Sequence, residues 1–153
     1  MADTNRQALE QQMRSVQSRF SRFYAKILDV KNLTVSQFSL LILVVDEGPL
    51  TMHDLALKLY LASSSVTNLV DRLEKRKMIA RRVHPNDRRA FHIEATTKGK
   101  QVVQDIRKLT VEHISSELKG FDAAEMKTIV RFFGAMETIL DQQLQQLKQE
   151  GQS

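Results

Sequence analysis

The sequence predicts a mainly α-helical fold with one small β-hairpin: a winged helix-turn-helix joined to a helical dimerisation domain. Only two of the 153 residues are proline and five are glycine, too few turn-forming residues for a many-stranded protein. Apolar residues recur every three or four positions along most of the chain, and this period gives way to alternation only between residues 78 and 95. Hydrophobic residues make up 42% of the chain, enough for one domain with a core.

The first 30 residues predict one long helix with an apolar stripe. The spacings along this stripe alternate between four and three residues, which is a heptad pattern that needs another helix to cover it. Its members are Leu9, Met13, Val16, Phe20, Phe23, Ile27 and Val30.

Two capping signals predict the next helices. Thr34 and Gln37 have the spacing of a capping box at the start of a nearly all-apolar, buried helix, which Gly48 ends. Thr51 and Asp54 repeat the box at the start of a short helix.

The short helix is expected to end around residues 60–62. Ser63 is expected to cap a further helix, whose inner apolar stripe contains Val66, Val70 and Leu73. Two short helices separated by a turn of three or four residues, the second of them basic, form a helix-turn-helix pattern.

A β-hairpin is predicted to follow. Met78–His84 and Ala90–Ala95 alternate as short strands, and residues 85–89 between them form a turn rich in proline, asparagine and aspartate. A basic hairpin after a helix-turn-helix is a wing. Helical spacing then resumes after Thr96 or Thr97 and continues to Gly120, and a last helix begins after Asp122.

The helices at the two ends carry more apolar surface than a winged domain could cover, so we expect a homodimer. The predicted domains are a winged helix-turn-helix at residues 34–99 and a helical dimerisation region at residues 1–33 and 100–153.

Positive charge is concentrated in one quarter of the chain. Residues 63–100 contain ten basic and four acidic residues, a net charge of +6, whereas the whole chain carries +5. A solvated surface of mixed sign does not explain this segregation, which indicates a face that binds a polyanion.

On a helical wheel, the polar side chains of the basic helix lie opposite its apolar stripe, where they suit a DNA major groove. The candidate contacts on this recognition helix are Ser63, Ser64, Ser65, Thr67, Asn68, Arg72 and Lys75. The candidate contacts on the wing and its flanks are Arg81, Arg82, Asp87, Arg88, Arg89 and Lys98. Of these, Arg81, Arg82 and Lys98 are expected to contact phosphates, which position the protein without selecting sequence.

Residues 33–99 resemble the multiple antibiotic resistance regulator (MarR) family of bacterial winged-helix transcription factors. The recognition helix at residues 64–76 and the wing segment at residues 85–90, followed by Thr96-Thr97-Lys98-Gly99, carry the resemblance. Three residues depart from the family pattern. Lys77 replaces a usual glycine and is expected to need a left-handed backbone, Ala95 replaces a leucine, and Asn68 stands where a basic residue is frequent.

The resemblance implies a repressor that binds a palindromic operator in double-stranded DNA. It places Arg89 in the minor groove, with Asp87 orienting it. It also implies a small aromatic or phenolic effector, bound where the winged unit meets the dimerisation helices. The candidate pocket residues are Arg19, Phe23, Tyr24, Phe38 and Ile42, since an arginine beside aromatic rings suits an aromatic carboxylate.

Enzymatic and metal-dependent functions find little support in the sequence. The four histidines have no metal-ligand spacing, and the chain contains no cysteine, so no metal or other cofactor is expected. The apolar run at Leu40–Val45 is too short to span a bilayer, and the N-terminus lacks a secretory signal, so we expect a cytoplasmic protein without membrane contact. Two alternatives remain: a DNA-binding regulator or architectural protein without an effector, and a winged-helix module that binds only proteins.

Overall fold

The computed structural model describes the backbone of residues 2–84 and 87–150, and it describes their side chains except at residues 2–4, 84, 87–90, 111–114, 148 and 149. The order of elements confirms the predicted fold class. The elements are α1 (Ala2–Val30), α2 (Val35–Glu47), β1 (Leu50–Thr51), α3 (Met52–Lys58), α4 (Ser63–Lys75), β2 (Ile79–His84), β3 (Asp87–Ala95), α5 (Thr97–Arg107), a π-helical turn (Lys108–Glu112), α6 (His113–Glu117), a 3₁₀ turn (Leu118–Gly120) and α7 (Ala123–Glu150).

Both predicted capping boxes are present. The Thr34 hydroxyl accepts a hydrogen bond from the Gln37 N–H at 3.2 Å, and the Gln37 side chain accepts one from the Thr34 N–H at 3.0 Å. Thr51 and Asp54 exchange the same two bonds at 3.1 Å each. Each box satisfies backbone donors that the first turn of a helix leaves unpaired, and so sets where α2 and α3 begin.

The predicted cap at Ser63 is wrong by one residue. Ala62 is the N-cap of α4 and accepts the first helical bond from the Val66 N–H at 3.1 Å, although it offers no side-chain acceptor. The turn before it is closed by Tyr60, which has a φ of 54°, and by a bond from the Leu61 N–H to the Ala56 carbonyl at 3.1 Å. This compact turn brings the chain into α4 one residue early.

The sheet contains one strand more than predicted. β3 lies between β1 and β2, all antiparallel, with Leu50 paired to Ile93 and Arg81 paired to Ile93 from the other side. β3 also begins at Asp87 and not at the predicted Ala90. Backbone pairing extends β3 beyond the apolar alternation, whereas β2 begins at Ile79, one residue after the predicted Met78. A two-residue strand such as β1 is too short to show a period.

The helix predicted to run unbroken to Gly120 is interrupted. A π-helical turn at Lys108–Glu112 follows α5. The buried Thr110 hydroxyl donates to the Ile106 carbonyl at 2.9 Å and to the Arg107 carbonyl at 3.3 Å. Such a side-chain bond competes with the backbone ladder, and this favours a bend that apolar spacing does not reveal.

The core lies between α2, α4, α5 and the sheet. Its fully buried residues include Leu41, Val66 and Ile93, and it extends to Leu28 of α1 and Ile106 of α5. The last turn of α1 and the buried face of α5 therefore pack against α2, which in turn packs against the recognition helix α4. The proposed division at residues 33 and 100 stays a prediction.

The apolar stripes of α1 and α7 are uncovered in the single chain. On α1, Val16 is 61% exposed and Val30 is 70% exposed. On α7, Phe133 and Leu140 are 60% and 56% exposed. Isolated apolar side chains on a surface are ordinary, but two long stripes on helices of one chain are not.

Among the described residues, no single helix combines the length and the apolar content that crossing a membrane requires. Residues 5–30 and 35–47 meet that requirement only when taken together, across a bend of 82°.

Candidate nucleic-acid interface

α4 separates an apolar face from a polar one. Val66, Val70 and Leu73 are fully buried and anchor the helix against α2 and α3. The sequence-predicted contacts all lie on the exposed side: Ser63, Ser64, Ser65, Thr67, Asn68, Arg72 and Lys75. The helix is thus held by its apolar face while its polar face is open to a partner.

Two of these polar side chains bond to their own helix. The Thr67 hydroxyl donates to the Ser63 carbonyl at 3.0 Å, and the Asn68 amide donates to the Ser64 carbonyl at 3.1 Å. An amide group has two N–H donors and an acceptor oxygen, so one local bond leaves Asn68 able to contact a base edge. These bonds also limit the rotamers of both side chains before any ligand binds.

The wing strands carry basic side chains beside α4. Arg82 is 66% exposed, and its Nε lies 3.8 Å from a carboxylate oxygen of Glu94. The side chains of Asp87, Arg88 and Arg89, which were predicted to contact DNA, lie outside the described residues.

Arg81 is paired with acidic side chains of the same chain. Its guanidinium bonds to Asp71 at 2.5 Å and to Glu74 at 2.7 Å, both on α4. The hydrogen bond to Asp71 raises the pKa of Arg81 above its usual range, and the charge of Glu74 adds to that effect. The expected phosphate contact of Arg81 stays a prediction, and the acidic partners were not foreseen.

The end of α4 is tied to the end of α1. Arg76 donates to the backbone carbonyls of Lys31, at 2.8 Å, and Asn32. Lys98, a predicted phosphate contact, donates to the Arg76 carbonyl at 2.9 Å, and this places its charge at the same corner. Sequence reasoning missed Arg76 because it counted only as one more basic residue, and its acceptors are backbone atoms 44 and 45 positions away.

The predicted effector residues fall into two groups. Tyr24 and Phe38 pack edge to face with ring centroids 5.7 Å apart, and Phe38 is buried. Ile42 is half-buried and packs against the same core. Burial raises the pKa of the Tyr24 hydroxyl, and the positive charge of Arg107 partly opposes the rise. Phe38 is therefore a core residue, and Tyr24 and Ile42 are half-buried against that core.

Arg19 and Phe23 instead line an open, largely apolar groove of about 430 Å³ between α1 and the π-helical turn. The other residues that line it are Val16, Phe20, Leu109, Thr110 and Glu117. The sequence did not suggest Leu109 or Thr110 for this role, since the π-helical turn is what directs them toward α1.

No three histidine, aspartate or glutamate side chains in the described part of the chain come together in a cluster that could hold a metal ion.

Comparison with known proteins identifies the family. Residues 33–91 match the family model described as MarR family. The uncharacterized HTH-type transcriptional regulator YcgE of Bacillus subtilis (strain 168) is 36% identical over 104 residues, which covers 68% of each chain. The chain belongs to the MarR family. It is therefore a helix-turn-helix transcriptional regulator and not an enzyme.

Solved structures agree with this assignment over nearly the whole chain. A MarR family protein from Bacillus stearothermophilus aligns with a TM-score of 0.73 at 25% identity, covering 92% of this chain and 99% of that one. A point mutant of S. aureus MepR, solved bound to an oligodeoxyribonucleotide, aligns with a TM-score of 0.65 over 86% of this MarR-family chain and 97% of its own. At 22% identity, that second likeness shows the shared fold.

Proposed function

We propose that this MarR-family chain is a cytoplasmic, homodimeric repressor that binds a palindromic operator in double-stranded DNA. One observation carries the proposal: the exposed face of α4 presents hydroxyl, amide and basic side chains beside a basic hairpin. Short polar side chains can reach base edges in a major groove, and flanking basic side chains neutralise phosphates.

The proposed contacts divide between the two grooves. Asn68 and the short hydroxyl side chains before it read bases in the major groove, while Arg72 and Lys75 contact phosphates. Because Ala62 supplies no capping side chain, the first N–H groups of α4 present the positive end of the helix to a phosphate. Arg89 enters the minor groove, oriented by Asp87, while Arg88, Arg82 and Lys98 contact the backbone of the DNA.

The exposed stripes of α1 and α7 support the homodimer. They are continuous apolar surfaces on long helices, and a second copy supplies a matching pair through two-fold symmetry. In a dimer, two α4 helices one helical turn of DNA apart require a palindromic site.

The groove beside Arg19 and Phe23 supports effector binding. A small aromatic or phenolic acid would place its ring on the apolar wall and its charge on the Arg19 guanidinium, which now bonds to the Ser15 hydroxyl at 3.4 Å. Tyr24 of α1, with Phe38 and Ile42 of α2, packs in or against the core and does not line this groove. Binding relieves repression only if the effector prefers a dimer geometry that separates the α4 helices incorrectly.

Selection of duplexes from a random DNA library with the purified protein tests the proposal. The expected product is a palindrome whose half-sites lie about 10 base pairs apart, centre to centre. A panel of aromatic acids is then screened for release of the selected duplex.

Recovery of no preferred duplex, with no salt-sensitive DNA binding, would favour the protein-binding module. A selected palindrome that no aromatic acid releases would favour a regulator without this effector class.

A further inference from the structure

The base of the wing is bound to α4 through one arginine. Arg81 Nη2 lies 2.5 Å from Asp71 Oδ1, and Arg81 Nη1 lies 2.7 Å from Glu74 Oε2. The backbone N–H of Arg81 also donates to Glu74 Oε1 at 3.2 Å. Three hydrogen bonds therefore join the start of β2 to the second half of the recognition helix.

The geometry of both elements brings these groups together. Asp71 and Glu74 are three positions apart and so lie on the same side of α4. Arg81 lies two positions after the buried Ile79, so the two side chains leave β2 on the same face. That face looks toward α4. The Arg81 side chain is only 33% exposed, whereas that of its neighbour Arg82 is 66% exposed.

The Arg81 guanidinium offsets part of the negative charge of two carboxylates and is hydrogen-bonded to both. Two carboxylates on a helix that faces DNA would repel phosphates, and the guanidinium pairs with both of them in a two-pronged geometry that a lysine cannot reproduce. Because both terminal nitrogens of Arg81 already donate to carboxylates, the guanidinium is paired without a phosphate.

We propose that Arg81 is a positioning residue: it fixes the wing relative to the recognition helix, so that both elements reach their grooves on the same DNA site. This inference rests on the proposed DNA-binding function and changes the role that Arg81 was expected to have there. Arg81 thereby contributes to the preference for the operator over other DNA, and it does not contact a phosphate.

Arg82 is the matched control, because it is the next residue on β2 and is well exposed, on the opposite face of the strand. Affinities of the parent, Arg81→Ala and Arg82→Ala for the selected duplex and for a scrambled duplex of equal composition are measured over a range of salt concentrations. Arg82→Ala is expected to weaken binding of both duplexes equally. It should also reduce the slope of log affinity against log salt concentration by about two for a dimer.

Arg81→Ala is expected to behave differently. The preference for the selected over the scrambled duplex falls about tenfold, as the coupling in a connected ion-pair network permits, while the salt slope stays at the parent value. Arg81→Lys loses a similar share of the preference although it keeps the charge. In an Asp71→Asn, Glu74→Gln background, Arg81→Ala has little further effect on the preference.

A reduced salt slope with an unchanged preference for Arg81→Ala would show a phosphate contact and overturn the inference. Failure of the parent itself to prefer the selected duplex would instead refute the proposed function. Thermal unfolding checks each variant. If Arg81→Ala does not fold, Arg81→Lys decides the matter: retention of the parent preference would overturn the inference, and its loss at an unchanged slope would support it.

Discussion

Among the residues that the structure describes, three non-glycine residues adopt a left-handed backbone at the ends of helices. Asn32, Tyr60 and Lys77 have φ angles of 53°, 54° and 57°, and they follow α1, α3 and α4. In each case the next N–H reaches back to a helical carbonyl; at α4 the Met78 N–H bonds to the Leu73 carbonyl at 3.0 Å. Glycine is the usual residue at such a position because it has no Cβ to clash.

Replacing Lys77 by glycine should therefore stabilise the protein. We expect Lys77→Gly to raise the free energy of unfolding by about 0.5–1 kcal/mol, since relief of the left-handed strain exceeds the added entropy of the unfolded chain. Denaturant unfolding measures the change. Arg72→Gly, at an exposed position inside α4, is the control and should lower the same free energy by about 1 kcal/mol. A loss of stability in Lys77→Gly would contradict this account.

The predicted minor-groove contact of the wing can be tested by substituting Arg89. We expect Arg89→Ala to weaken binding of the selected duplex by about 1–3 kcal/mol, because it removes a guanidinium from a narrow minor groove. The melting temperature should change little. Fluorescence anisotropy with labelled duplex measures the affinity, and Arg131→Ala on α7 is the control. Binding equal to the parent would show that the minor-groove assignment is wrong.

At the scale of elements, the junction between β2 and α5 depends on one close approach. Thr96 caps α5 through a bond from the Gly99 N–H at 3.1 Å, and its own N–H donates to the Met78 carbonyl at 3.0 Å. A Cβ on Gly99 would lie 2.0 Å from that Met78 oxygen. The first turn of α5 therefore packs directly on the backbone at the start of the wing.

Gly99→Ala should separate α5 from this backbone. We expect a loss of about 1–3 kcal/mol in the free energy of unfolding, the usual cost of overpacking a buried site. Gly120→Ala is the control, because nothing lies within 4 Å of a Cβ built there, and its effect should stay within about 0.5 kcal/mol. Equal effects of the two substitutions on denaturant unfolding would refute the role given to the close approach.

At the scale of the whole molecule, the excess positive charge sets how DNA binding responds to salt. With about nine phosphate contacts in a dimer, the logarithm of the affinity should fall against the logarithm of salt concentration with a slope of about −8. Titrations of the selected duplex at several salt concentrations give this slope. A slope shallower than about −3 would contradict the basic face proposed here.

The exposed stripe on α7 gives the dimer its own test. Leu140→Glu puts a charge on the stripe without touching the core, so we expect sedimentation to report the mass of one 17.6 kDa chain where the parent has twice that mass. Gln142→Glu, on the opposite side of α7 by helical geometry, should leave the dimer intact. A dimeric Leu140→Glu variant would exclude this stripe from the interface.

The features that the sequence predicted correctly are local ones. Thr34 with Gln37 and Thr51 with Asp54 needed only a spacing of three residues. The left-handed backbone of Lys77 was implied by the resemblance, because the MarR family usually has glycine at that position. The buried and exposed faces of α4 followed from the helical period. Each depends on interactions within a few positions of the chain, where backbone geometry leaves few choices.

The remaining features required the tertiary structure. The sequence by itself determined the helices before the wing, the two strands of the wing and the basic polar face of α4, but neither strand β1 nor the π-helical turn. Only the folded chain decided that Arg81 meets Asp71 and Glu74, that Arg76 binds the end of α1, and that a π-helical turn directs Leu109 toward Arg19. A periodic pattern reports how each element is oriented toward its core, but the partner of a charged side chain depends on the packing between elements, which no local spacing encodes.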